Sequence, residues 1–231
     1  MTTDKPSASP LPWLLLLLSV TTGLVDAISV LGLGKVFTAN MTGNVVFLGF
    51  AASGAPGFKI APYIVAIASF MIGALIAGQI GKRHAGSPLR RWLLVAAAVE
   101  AVLLWLAAAV AVGFDVATQT PGSSVYVIIA LTGLAMGFRN ATIRQLKVPD
   151  LTTTVLTLTI TGLAADSSLA GGTNPNWARR VGSVAAIFLG AAIGAYLVTH
   201  GGLVAPLILA GGLIFAGTVA CTLHPAASRP L

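Results

Sequence analysis

Apolar stretches follow one another along this chain with almost no charge between them, at 13–34, 41–53, 61–81, 92–113, 123–146, 151–165, 181–199 and 203–223. A helix of about 20 such residues crosses a hydrocarbon core about 30 Å thick, and six of the eight stretches are that long. The other two are doubtful: the second holds an uninterrupted apolar run only from Val45 to Ala52, and the sixth, LTTTVLTLTITGLAA, carries six threonines. Segments this short re-enter from one face more often than they cross. Composition closes off a soluble alternative. Only 8% of the 231 residues are charged, against about 25% in soluble domains, so no water-facing shell can be assembled from this inventory. The lipid bilayer is the expected partner. The formal net charge of +7 does not point to nucleic acid, because the basic residues lie between apolar runs and not on one soluble face.

Basic residues in short loops stay on the cytoplasmic side, which arbitrates between topologies. With six spans, two re-entrant segments and Lys82, Arg83, Arg90 and Arg91 inside, the interior also holds Lys5, Arg139, Arg144, Lys147, Arg179, Arg180 and Arg229. Only Lys35 and Lys59 stay outside, a division of 11 to 2, whereas eight full crossings give 8 to 5. The expectation is an all-α integral membrane protein with six transmembrane helices plus two short re-entrant or half-helix segments, with seven or eight full spans as the alternative. Lone Cys221 excludes an intramolecular disulfide and a cysteine metal cluster. The first apolar run is read as a retained span, since Val25-Asp26-Ala27 resembles a cleavage site only loosely.

The sequence also repeats itself. Gly23-Leu24-Val25-Asp26-Ala27 matches Gly137-Phe138-Arg139-Asn140-Ala141 at an offset of 114, residues 38–44 match 153–159 at 115, and Gly73 to Ala77 matches Gly190 to Gly194 at 117. Two units of three spans each insert with opposite orientation, the inverted-repeat plan of many transporters. The organisation expected is a disordered N-terminal tail at 1–10, membrane repeat 1 at 11–113, a connecting loop at 114–122, membrane repeat 2 at 123–223 and a C-terminal tail at 224–231.

The stretches GLVDAISVLGLGKVFTANMTGNVVFLG and GLAMGFRNATIRQLKVPDLTTTVLTLTITGLAAD resemble the two signature regions of the bacterial YoaK-like membrane proteins, a family of unknown function. The resemblance runs from about Leu14 to Cys221. It implies a multi-pass protein of the bacterial inner (cell) membrane and brings no substrate or catalytic residue with it.

Chemistry must then come from the polar residues. Asp26 and Glu100 each sit inside a span, where a charge costs at least about 2.5 to 3.5 kcal/mol, so each needs a partner or a proton. Asp26 is expected to approach Arg139 or Arg144 across the repeat interface, while Asn140 is its own repeat counterpart. Asn40, Thr42 and Asn44 precede the first short run, and Thr153, Thr157 and Thr161 form a matching stripe in the second unit. Either these residues line a substrate path where half-helix N-termini meet, or their hydroxyls and amides only bond neighbouring helices. Gly73, Ala77, Gly190 and Gly194 have the spacing of close helix packing. Trp13, Trp92 and Trp177 are expected at the membrane interface. No metalloprotease, phosphate-loop or serine-hydrolase motif occurs, so no metal or other cofactor is expected. The reading is a small-solute or ion permease, not an enzyme, with Asp26 in coupling or gating. A structural or assembly membrane protein is the alternative, and an intramembrane enzyme using Asp26 and Glu100 the third. Substrate identity and homo-oligomerisation stay open.

Overall fold

The structure is a computed structural model that describes residues 10–84, 86–146 and 156–224. Thr153 and most of the two expected tails lie outside the described residues. Among the described residues six helices are long and apolar enough to cross a membrane: α1 (Leu11–Gly32), α3 (Ile60–Arg83), α4 (Leu89–Val110), α5 (Gly122–Leu146), α7 (Trp177–Gly201) and α8 (Val204–Thr222). Between them lie α2 (Met41–Ala52), α6 (Leu156–Ala165) and a short 3-10 turn at Ser168–Ala170. Prolines open three of the long helices, Pro12 in α1, Pro62 in α3 and Pro206 in α8, where a missing backbone N–H costs nothing. Lys82 and Arg83 close α3 at the end that favours positive charge.

At 12 residues α2 spans about 18 Å, too short to cross. The Lys35 ammonium sits over the Phe58 ring, 5.3 Å from its centroid, so the excursion from 35 to 58 leaves and returns at one end of the bundle. That geometry is re-entrant. Phe47 anchors the returning helix, with Phe58 at 5.3 Å and Tyr63 at 5.9 Å between ring centroids. Between the halves, Asp115 accepts the Ala117 N–H at 2.8 Å. That bond, with those from Thr118, holds its carboxyl below the ordinary carboxylate range.

Packing follows the internal repeat. The two most extensive helix contacts are α1 with α7 and α3 with α5; α4 packs on α8 and α5, α1 on α8, α2 on α3 and α6 on α7. Exchanging the halves, so that α1 takes the place of α5, α3 that of α7 and α4 that of α8, reproduces this pattern. Glycine explains how two backbones come so close. A Cβ on Gly23 would strike the carbonyl of Ile187, and one on Gly137 the carbonyl of Phe70; Gly190 lies against Val20 and Gly73 against Leu134. These equivalent contacts differ by 114 on one helix and 117 on the other, the offsets read from the sequence. In lipid, helix association depends on such close approach, because apolar burial gains nothing against hydrocarbon tails.

Two expectations are corrected here. Trp92 is fully buried between the tilted rings of His84 and Phe138, with centroids 5.6 and 5.9 Å away, and belongs to the helix packing, not to an interfacial belt. Arg139 is 2% exposed and sits seven residues, about 10 Å, inside the end of α5. It therefore leaves the charge count of the basic end, reducing 11 by one to 10 against 2.

Candidate functional site

The centre of the bundle is organised around Arg139. Its guanidinium forms an ion pair with Glu100 of α4, and Nη1 donates to the Leu18 carbonyl at 3.2 Å and to Thr22 Oγ1 at 3.1 Å on α1. The Thr22 hydroxyl in turn donates to the Leu18 carbonyl at 2.8 Å. One arginine thus joins α1, α4 and α5. Glu100, 4% exposed, obtains here the partner a buried carboxylate must have. A void of about 30 Å³ beside the pair, bounded also by Thr142, has room for a water molecule. The expected pairing of Arg139 with Asp26 is corrected. Arg139 reaches α1 at Thr22, one turn before Asp26, and spends its charge on Glu100; Asp26 makes no ion pair among the described residues. The signal for the true pair was present in two opposite charges placed inside their helices, away from the basic residues at the helix ends.

Asp26 faces the stretch that enters the membrane ahead of α2. The Ala39 backbone N–H is turned toward its carboxylate, and Arg139 contributes a longer-range attraction. Its Oδ1 is closed off from the surface and has no hydrogen-bond partner. Thr38, next to Ala39, is completely buried, and its hydroxyl also lacks a partner.

Asn44 is bonded to the backbone of its own re-entrant stretch. It is completely buried, its Oδ1 accepts the Phe37 N–H at 2.9 Å, and its Nδ2 donates to the Phe37 carbonyl at 2.5 Å. Both backbone groups of Phe37, which no helix satisfies, are bonded by one side chain, and the re-entrant turn is pinned to the first turn of α2. Asn40 and Asn44 consequently do not share a face: Asn40 occupies the N-cap position, exposed and without a side-chain capping bond. Asn40 and Thr42 instead face Asn140 and Arg144 of α5 across a cavity of about 550 Å³, closed on a third side by Phe70 and Ala74 of α3. Asn140 donates to the Met136 carbonyl at 2.8 Å, and Arg144 is exposed. A second recess of about 230 Å³ enters from the opposite end, near Gly34, Lys59, Gln119 and Tyr126. The chain passes from one recess to the other between Gly34 and Ala39, and Val36 and Thr38, both fully buried, fill the divide.

In the second half, Thr157 and Thr161 are exposed on α6, and the Thr161 hydroxyl donates to the Thr157 carbonyl at 2.9 Å. This pair does not line the core. The residue of α6 that turns inward is Thr159, 8% exposed, the repeat counterpart of Asn44 at the offset of 115 already visible in the sequence. Arg180, against which Gly162 packs, bonds Asp166 at 2.7 Å. Among the packing residues, Gly73 and Gly190 sit at the closest backbone contacts, Gly194 lies 2.9 Å from the Leu24 carbonyl by its would-be Cβ, and buried Ala77 accepts from Gln145 at 3.4 Å.

No group of three or more His, Cys, Asp or Glu that would hold a metal occurs among the described residues. What the fold and site define is a multi-pass α-helical membrane protein with charged and polar groups concentrated where its halves meet. The chain belongs to the family described as "Protein of unknown function (DUF1275)", whose model matches residues 14–220. It is 33% identical over 155 residues to the "UPF0700 transmembrane protein YoaK" of Bacillus subtilis (strain 168), a match covering 67% of this chain and 66% of that protein. No solved structure matches.

Proposed function

We propose that this protein is a small-solute or ion permease of the bacterial inner membrane, with a path that passes between the two halves at the start of α2 and with Asp26 in coupling or gating. The observation that carries the reading is the pair of recesses at opposite ends of the bundle, with the unwound stretch from Gly34 to Ala39 running from one to the other. Irregular backbone at membrane depth is tolerated where it is packed in protein or lines a water-filled cavity, and discontinuous helices of this kind form the binding sites of many transporters. Asn40, Thr42, Asn140 and Arg144 supply polar groups to the larger recess. Asn140 also supports a division of labour: where the first half has an acid, the second has a neutral amide. A rival, structural reading draws on Asn44 and Arg139, which spend their polar groups on the protein's own chain.

Flux in proteoliposomes separates the two. A permease carrying Asp26→Asn retains its melting temperature and purification yield while uptake falls to the level of empty liposomes. A structural role gives the opposite pattern, loss of yield or melting temperature together with no flux by the unaltered protein across a broad solute panel.

A further inference from the structure

Three ionisable side chains converge at mid-bundle, Asp26, Glu100 and Arg139. Glu100 and Arg139 neutralise each other, so an ionised Asp26 would leave the set with one negative charge. A net charge enclosed among helices is costly unless something balances it. Among the described residues no cation pairs with Asp26: Arg144 of α5, which lines the larger recess with Ala39, is exposed and makes no ion pair with it. On α7, Tyr196 and His200 are exposed, while Arg179 and Arg180 stand in its first turn. On α8 the ionisable side chain is Cys221, near the end of the helix. The stretch 36–40 and α2 contain no charged side chain.

Two oxygen atoms beside Ala39, on the other hand, are unsatisfied. Asp26 Oδ1 and Thr38 Oγ1 are both enclosed and both without a hydrogen-bond partner. The Ala39 N–H faces the Asp26 carboxylate and belongs to the residue that follows Thr38, so the two side chains stand beside the same peptide unit. Buried polar atoms are nearly always satisfied, and exceptions point to an ion, a water or a function. The backbone between Gly32 and Met41 is unwound, which frees carbonyl oxygens from a helical ladder in the same place. Unwound carbonyls beside a carboxylate and a hydroxyl are an all-oxygen donor set, suited to a hard cation and not to a transition metal.

We infer that Asp26 and Thr38, with the unwound backbone beside them, hold one small monovalent cation, sodium or hydronium. The inference rests on the permease reading for its purpose, since a cation bound at the divide between the recesses is placed to couple solute movement to an ion gradient. Its chemistry stands apart from that reading. The ion neutralises the excess charge, and Thr38 orients on it through Oγ1, so the stretch that separates the recesses is tied to α1 only when the site is occupied.

The test is thermal unfolding of the full-length protein in lipid nanodiscs, with sodium chloride titrated against choline chloride at constant ionic strength and the series repeated from mildly alkaline to mildly acidic buffer. A ligand bound only by the folded state raises the midpoint. For a sodium site the midpoint rises by about 5 °C at saturation in sodium but not in choline. For a hydronium site it rises to a similar extent on acidification with no dependence on sodium. Either rise is lost in Asp26→Asn and in Thr38→Val, and is kept in Thr38→Ser, which retains the hydroxyl. Glu100→Gln, which leaves the two orphan oxygens in place, retains a dependence on the ion. A midpoint of the unaltered protein that follows neither ion, or one that Asp26→Asn follows equally, overturns the inference. Ion-dependent stability without flux in proteoliposomes sinks the permease reading and leaves the cation site standing; flux without ion-dependent stability does the reverse.

Discussion

The two halves share a backbone plan but not a chemistry. Gly23 and Gly137 make equivalent contacts, as do Gly190 and Gly73, yet the residues that follow the first pair diverge. Val25 corresponds to Arg139, Asp26 to Asn140, Asn44 to Thr159, and the Phe47–Tyr63 aromatic contact to the approach of Gly162 and Arg180. Where helices must touch, both halves keep glycine, because a side chain there would displace backbone. Where the halves face the centre, one supplies the free acid and the other the arginine, and a symmetric site becomes polarised. The lesson is that packing constrains a repeat far more tightly than the chemistry it surrounds.

The largest expected effect concerns the asymmetry. Arg139→Leu strands Glu100 in the bundle and is expected to cost about 3–5 kcal/mol, read as a fall in melting temperature. Adding Glu100→Leu to it recovers most of that loss, because the pair is replaced by packed apolar groups. Val25→Ala in the equivalent position of the first half removes only two methyl groups and costs about 1–2.5 kcal/mol. Equal losses for Arg139→Leu and Val25→Ala would break the comparison.

Next in size is the symmetry itself. Gly23→Ala and Gly137→Ala each push a methyl into a backbone carbonyl and are expected to cost about 1–3 kcal/mol apiece, the two alike within experimental error. A loss at one position and tolerance at the other would show that the halves pack differently.

Asn44→Ala leaves both polar groups of Phe37 without partners and is expected to cost about 1–3 kcal/mol. Thr159→Val, which exchanges the hydroxyl for a methyl group, costs about 1 kcal/mol. Smallest is Asp166→Asn, at most about 1 kcal/mol, because the Asp166 side chain is 45% exposed and water screens its pairing with Arg180.

Much of this was legible in the sequence. Apolar length marked the six spans, the short segments stood out by their deficit, and the offsets of 114 to 117 located the helix contacts. Asp26 and Glu100 identified themselves, since a charge within a span has few explanations. What periodicity could not supply was which buried groups meet. Arg139 lies close enough to the basic end of α5 to be read as a loop anchor, yet the packing of α4 against α5 brings it to Glu100. Asn44 carries the same amide as Asn40, four residues away on the helical repeat, but Asn40 stands at the N-cap outside that repeat, and only the backbone of Phe37 distinguishes their fates. Thr159 was hidden among six threonines whose composition gives no inward face, although the offset from Asn44 marked it.

The claim on which the rest depends is that residues 35 to 58 enter the bundle and leave by the same end. On a Cys221→Ser background, single Lys35→Cys and Lys59→Cys variants can be labelled in intact cells with a membrane-impermeant maleimide, with Arg90→Cys as the marker of the opposite face. Labelling of Lys35→Cys and Lys59→Cys from one and the same side, with Arg90→Cys protected until the membrane is opened, is the predicted result. Labelling of Lys35→Cys and Lys59→Cys from opposite sides would make α2 a full crossing and remove the divided path on which the functional reading stands.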